Sequence, residues 1–268
     1  MKRFGHCAIG VSWLLLFASV GAAAATDVPP ADLHGSWLVT TASVDLKDQP
    51  HWRYEPDDPR LLHRVLTVSA DGTLRFDFTD GACSKVVWTP ARPGTVADLV
   101  RESFTRAPHP DLPRHPSLED FGPALANPSI LPLRARCSDV KRADGSDRFW
   151  GDGWFALLDA STLLFDYEGD ALLVLRKIGP STPPSPSFPC SGARTPTERA
   201  ICGSQVLSGL DRSLAAAYQR QLQRLRGRNP DATKKDQQAW IAERDACKDD
   251  AACIEGRMRA RLDELMQD

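Results

Sequence analysis

The chain has 268 residues, 42% of them hydrophobic and 25% charged, enough to bury a substantial core and to form two domains. Its formal net charge of −2 comes with no basic stripe carrying interleaved aromatics, which excludes nucleic acid as a partner class. The charge is uneven: residues 26–189 hold 17 Lys/Arg against 23 Asp/Glu, whereas residues 190–268 hold 14 against 12.

The N-terminus reads as a cleaved export signal over residues 1–25. Lys2 and Arg3 start it, residues 9–20 are almost wholly apolar, and Ala23 and Ala25 form a small-residue cleavage site. The apolar run is shorter than the roughly 20 residues a membrane-spanning helix needs. Cys7 precedes that run, so it is not placed as a lipoprotein's modified cysteine. No later segment reads as a membrane span. The expectation is a mature chain starting near Thr26, periplasmic or secreted, that meets a membrane only through its removed signal.

Export removes the odd cysteine and leaves Cys83, Cys137, Cys190, Cys202, Cys247 and Cys253, an even set suited to disulfides. The ten residues 179–188 contain four prolines and three serines and read as a stiff, extended linker. It separates two cysteines from four, and the simplest pairing keeps each bridge within its own domain.

Residues 31–178 read as a domain of antiparallel β-structure. Residues 35–41 are rich in β-branched and aromatic side chains. Residues 64–69 and 73–78 flank Asp71-Gly72, a hairpin signal. Residues 154–158, 163–167 and 171–177, separated by two short polar turns, form a meander. With 85–89 and 130–137 this predicts seven or eight short strands, and 96–104 and 118–126 read as short helices. A small barrel or sandwich fits best.

Cys83 and Cys137 are the only cysteines of that domain, and a closed loop of about 55 residues is worth about 4 kcal/mol on the chain-entropy estimate. Zinc is the competing use of cysteine. The two histidines His109 and His115 lie in a stretch with four prolines in ten residues, which is not a helix able to aim both at one ion. No metal and no cofactor are expected. Gly35-x-Trp37 on the first strand, with Arg176 on the last, resembles the lipocalin arrangement, in which that arginine packs across that tryptophan. The resemblance implies a cup for a small apolar ligand, although barrels this small are often filled by their own side chains.

From residue 189 the periodicity becomes helical. Thr195-Pro196-Thr197-Glu198 predicts a cap, a first-turn proline and a capping box, and Gly203 ends a short helix. Leu207, Leu210, Leu214, Tyr218, Leu222 and Leu225 make one stripe of a second helix. Gly227 stops it, and Asn229-Pro230 opens a third. The fourth starts near Ala251, with Ile254, Met258, Leu262 and Leu265 on one face. A module of about 79 residues is marginal on its core alone, so disulfides are expected to hold it. Local bridges Cys190–Cys202 and Cys247–Cys253 compete with a crossed pairing of the same four. The fold class is therefore α+β in two domains: a β-barrel or sandwich over 31–178, a Pro/Ser linker over 179–188, and a stapled helical bundle over 189–268.

Phe188-x-Cys190, Thr195-Pro196-x-Glu198-x-x-Ile201-Cys202, Leu210-Asp211-x-x-Leu214-x-x-x-Tyr218 and Trp240-x-x-x-Arg244-Asp245-x-Cys247-x5-Cys253 resemble the lysozyme inhibitor LprI-like domain family over residues 188–266. The resemblance implies a secreted or periplasmic helical domain, able in some members to inhibit lysozyme. Trp240 and Arg244, four apart, share a helix face. They read either as a binding surface or as packing, with Arg244 and Asp245 pairing with charges such as Asp211.

No G-x-S-x-G, H-E-x-x-H or P-loop occurs, and no cysteine outside the disulfide set is left as a nucleophile, so no catalytic residue is assigned. The expected function is binding of a protein partner, a lysozyme, whose cleft carries two catalytic carboxylates. Arg226 and Arg228, in the turn between the second and third helices, are the candidate tip. The alternative is small-ligand binding by the barrel, with the helical module as an appendage.

Overall fold

The computed structural model describes residues 26, 29–48, 53–77, 82–84, 86–104, 115–122, 126–137, 153–225 and 231–267. The signal segment, His109 and the Arg226/Arg228 turn lie outside the described residues.

The N-terminal part is an almost closed antiparallel barrel. Its strands are β1 (Gly35–Ser43), β2 (Val65–Val68), β3 (Leu74–Phe76), β4 (Ala82–Cys83), β5 (Val86–Pro90), β8 (Leu133–Cys137), β9 (Trp154–Asp159), β10 (Thr162–Tyr167) and β11 (Ala171–Ile178), and they pair in the order β4-β3-β2-β1-β11-β10-β9-β8-β5. The two edges meet at β4 and β5. There Cys83 on β4 is joined to Cys137 on β8, Cα atoms 5.7 Å apart, so the disulfide ties one edge of the sheet to the strand beside the other. Thr26 forms a two-bond bridge with Trp88 on β5. A separate small pair, β6 (Gly94–Thr95) with β7 (Ser129–Ile130), precedes and follows helix α1 (Val96–Ser103).

Turn chemistry sets the hairpins. Gly72 takes a φ of 90° between β2 and β3, and Asp71 accepts from the Thr73 N–H. Glu168 and Gly169, with φ of 56° and 65°, make the tight connection from β10 to β11. Two successive positive φ values match the twist of a two-residue hairpin. In β1 the buried positions change phase, from Trp37 and Val39 to Ala42 and then Val44, because the register against β11 shifts between Val39 and Thr41. A one-residue bulge moves the following side chains to the other face.

The barrel interior is filled by Trp37, Phe76, Trp88, Phe155, Phe165, Tyr167 and aliphatic neighbours. The rings of Phe155 and Phe165 stack at 4.4 Å, and Phe76 and Tyr167 meet Phe165 edge-on. The outer face of β9, β10 and β11 is covered as well: Trp154, Ala156, Leu164 and Leu172 pack under α1 and the residues Phe104, Phe121 and Ile130. All six residues of β10 are consequently buried. Of the helix expected over 118–126, the described residues form a short 3-10 turn, Leu118–Phe121, followed by Gly122 at a φ of 106°.

The lipocalin-like pairing of Arg176 with Trp37 is corrected by the register. Lys177 lies opposite Trp37, and its ammonium sits 4.9 Å from the ring centre while donating to the Asp32 carbonyl at 2.9 Å. Alternation along the strand turns Arg176 the other way, where its guanidinium donates to the Thr162 hydroxyl.

The C-terminal part comprises α2 (Pro196–Cys202), α3 (Gln205–Arg224), α4 (Asp231–Asp245) and α5 (Ala251–Leu265), with bridges Cys190–Cys202 and Cys247–Cys253, each local. Their common core is Ile201, Leu207, Leu210, Leu214, Ala217, Trp240, Ile254, Met258, Leu262 and Leu265.

This bundle is docked on the barrel through α3. A β-carbon at Gly209 would collide with the His63 carbonyl, so only glycine lets the helix backbone come this close. One turn on, the Ser213 hydroxyl is 2.9 Å from the Leu62 carbonyl and accepts from Arg64 Nη2 at 3.1 Å. Arg64 is fully buried beneath the helix, its Nη1 3.9 Å from Asp77 Oδ2. Asp77 Oδ1 accepts from the Val65 N–H at 2.8 Å, and Arg259 of α5 donates to the Asp77 carbonyl. At the rim, Arg220 and Arg224 both reach the Glu55 carboxylate, at 2.8 and 3.0 Å. The 179–188 segment is thus no free tether: Gln205 Nε2 donates to the Thr182 carbonyl, and the Ser187 N–H to Asp211.

Candidate functional site

Seven signature residues of the bundle, Phe188, Glu198, Asp211, Leu214, Tyr218, Trp240 and Arg244, line one groove of about 350 Å³ between α3 and α4. Leu214, Ala215 and Tyr218 line it from α3, and Gln237, Trp240, Ile241 and Arg244 from α4, with Phe188 and Asp211 at one end and Glu198 of α2 beside them. The helices leave this space because α4 leans chiefly on α5 and α2. It buries only Trp240 and Arg244.

Each motif residue has a local reason for its place. Thr195 caps α2 by accepting from the Glu198 N–H at 3.0 Å, and Glu198 accepts in return from the Thr195 and Arg194 N–H groups at 2.9 and 2.6 Å. Those backbone donors hold the Glu198 carboxyl below its ordinary pKa. Leu210 is fully buried in the helical core. Asp211, one residue on, accepts the Ser187 N–H at 2.6 Å and so anchors the incoming chain that carries Phe188. Thr197 donates to the Lys248 carbonyl at 2.7 Å, tying α2 to the turn closed by Cys247–Cys253.

The Trp240–Arg244 pair does share a face: the guanidinium lies 5.4 Å from the indole centre. Arg244 is oriented by its neighbour Asp245, with N–O distances of 2.7 and 3.0 Å, and not by Asp211, whose acceptor is turned to the linker. Trp240 is 9% exposed and Ile241 38%, so the α4 wall of the groove offers apolar surface to solvent. Tyr218 is half-buried on the opposite wall. Chemically the groove can accept an apolar side chain over a cation–π floor. Its three charged lining groups already have partners within the bundle.

Arg226 and Arg228 lie outside the described residues. The last described turn of α3 before them is the one whose Arg220 and Arg224 hold Glu55 of the barrel. Among the described residues no group of three or more His, Cys, Asp or Glu is arranged to hold a metal ion, and no helix is long and apolar enough to cross a membrane. Reading the sequence missed the docking residues Gly209, Ser213, Arg64 and Asp77. The detectable signal was two small residues four apart, interleaved with the leucine stripe of α3.

Residues 190–266 match the family model for lysozyme inhibitor LprI. No curated protein and no solved structure matches the chain.

Proposed function

We propose that this chain is an exported envelope protein that binds and blocks a lysozyme through its LprI-like helical bundle, with the α3–α4 groove as part of the contact surface. The observation that carries the reading is the family match over residues 190–266, several of whose signature side chains line that groove. Three disulfides among the six cysteines that follow the signal-like segment support an oxidising compartment. Within this reading residues 1–25 are the removed signal, 31–178 the barrel, 179–188 the connecting strap and 189–268 the inhibitory unit. The family is described by inhibition, and no catalytic role is assigned to any residue here.

The barrel serves as a platform. Its described interior is occupied by Trp37, Phe76, Phe155, Phe165 and Tyr167, which leaves the small-ligand alternative without support. Arg226 and Arg228 keep their role as a candidate cationic tip toward the paired carboxylates of a lysozyme cleft.

The test is lysis of cell-wall substrate by lysozymes of different classes, with and without the oxidised mature chain. Slowed lysis that is relieved by Arg226→Glu with Arg228→Glu supports both the activity and the tip. Inhibition unchanged in that double variant removes the tip and keeps the activity. Full lysis rates with every class at micromolar protein reject the reading.

A further inference from the structure

The barrel–bundle junction contains a titratable group that neither the fold nor the proposed inhibition uses. His63 stands at the centre of the contact in a left-handed conformation, φ 63°, with its N–H bonded to the Val39 carbonyl at 3.0 Å and its own carbonyl against Gly209 of α3. Its ring nitrogen Nδ1 is enclosed and has no hydrogen-bond partner. The charges that act on the ring are both cationic: Arg212 from α3 and Arg64 from its own loop. Behind Arg64 lie Asp77 at the end of β3 and, from α5, Arg259 and Glu255.

We propose that this junction is an acid-released latch, in which protonation of the His63 imidazole loosens the helical bundle from the barrel about a hinge at the 179–182 turn. A proton on His63 adds a third positive charge beside Arg64 and Arg212 with no acceptor at Nδ1. Separation takes Arg212 away and lets water reach the enclosed Nδ1 of this half-buried residue. The hinge lies at the 179–182 turn, which the Thr182 N–H closes onto the Gly179 carbonyl at 3.0 Å: before it Ile178 is paired with Ser36 of β1, and after it Gln205 and Asp211 bond the strap to the bundle at Thr182 and Ser187. Burial first, then Arg212, then Arg64 push the His63 pKa down to about 4 from 6.5.

The sign follows. A depressed pKa in the docked state means that docking is at full strength above pH 6.5, weakens as the released state takes up protons below it, and levels off near pH 4. If the whole shift came from docking, the docking constant would fall by up to about tenfold at pH 5.5 and about thirtyfold at pH 5. The part of the burial that the barrel alone provides reduces these factors. Asp77 acts in the opposite sense, since burial, partly offset by Arg64, raises its pKa and favours a proton in the docked state. A His63 variant is therefore needed to isolate the latch.

Nuclear magnetic resonance on the oxidised mature chain tests it with two readouts: the titration of the His63 ring, and separate tumbling of barrel and bundle amides. In wild type the ring should titrate near pH 4; in Gly209→Leu, where the helix cannot approach, it should move up by one to two pH units, an estimate of about the docking share of the shift. In Ser213→Ala, whose docking is weakened, independent tumbling should grow from pH 6.5 to 4.5, and addition of His63→Gln should remove that growth. An unchanged His63 titration in Gly209→Leu overturns the proposal, and so does pH-dependent release that survives His63→Gln.

Discussion

Strand β10 and helix α4 are the two extremes of this molecule. Every side chain of β10 is buried, because the barrel core lies on one face and the α1 layer on the other. Helix α4, with 15 residues against six, buries only Trp240 and Arg244. The barrel is held by apolar surface removed from water on both sides of its sheet. The bundle has one small core and relies on two disulfides, helix caps and its seat on the barrel. A loosely packed helix beside a groove belongs to the part of the molecule that can reshape on meeting a partner, whereas the barrel provides a fixed base.

The comparison is most easily broken at its centre. Phe165 touches Phe155, Phe76 and Tyr167, and Phe165→Ala should cost about 3–5 kcal/mol, read as a lower urea midpoint. A loss below about 1 kcal/mol would show that the stacked rings are not the core of the barrel. Next comes Cys190→Ser with Cys202→Ser. Opening this 12-residue separation should remove about 3 kcal/mol from the bundle on the chain-entropy estimate. The expected signature is a helical signal that melts at lower urea while the near-ultraviolet signal of the barrel aromatics keeps its midpoint. One shared transition would mean that docking through Gly209 and Ser213 couples the two parts more tightly than their separate cores suggest.

Much of this arrangement was legible in the sequence, because local chemistry dictates it. Asp71-Gly72 and Glu168-Gly169 set hairpins where positive φ is required, and Thr195-Pro196 with Glu198 starts α2. The division of the cysteines, two before the Pro/Ser segment and four after it, anticipated bridges within each part, and of the two pairings open to the last four the local one is present. What was not legible depends on register and on long-range contact. The bulge between Val39 and Thr41 changes which residues of β1 face inward, and no local preference announces it. The partner of Trp37 proved to be Lys177 for a related reason: pairing is set by the whole strand, and one position exchanges inside for outside. Nothing local marked Gly209 as a docking residue, because its reason lies some 150 positions away, at His63. The groove was half legible. Its residues were recognised as a motif, but only α4 standing away from α3 turns a packing motif into a surface.

The smallest predicted effect sharpens the contrast at the wall of the groove. Glu198 closes the capping box of α2 from a half-buried position, accepting backbone N–H groups from Arg194 and Thr195 that hold its pKa down. A carboxylate depressed in the folded state stabilises above its unfolded pKa, near 4.5, and loses that contribution as the pH falls through its lower folded value. Glu198→Gln keeps the shape of the box without the charge. The urea midpoint of the helical signal should then differ between wild type and variant at pH 6 and converge as the pH falls below 4.5 and through the lower folded value. This window lies below most of the one assigned to His63, so the two acid effects separate on one titration: release of the bundle comes first, and softening of α2 follows. Convergence already complete at pH 5.5 would show that the box is not what Glu198 stabilises.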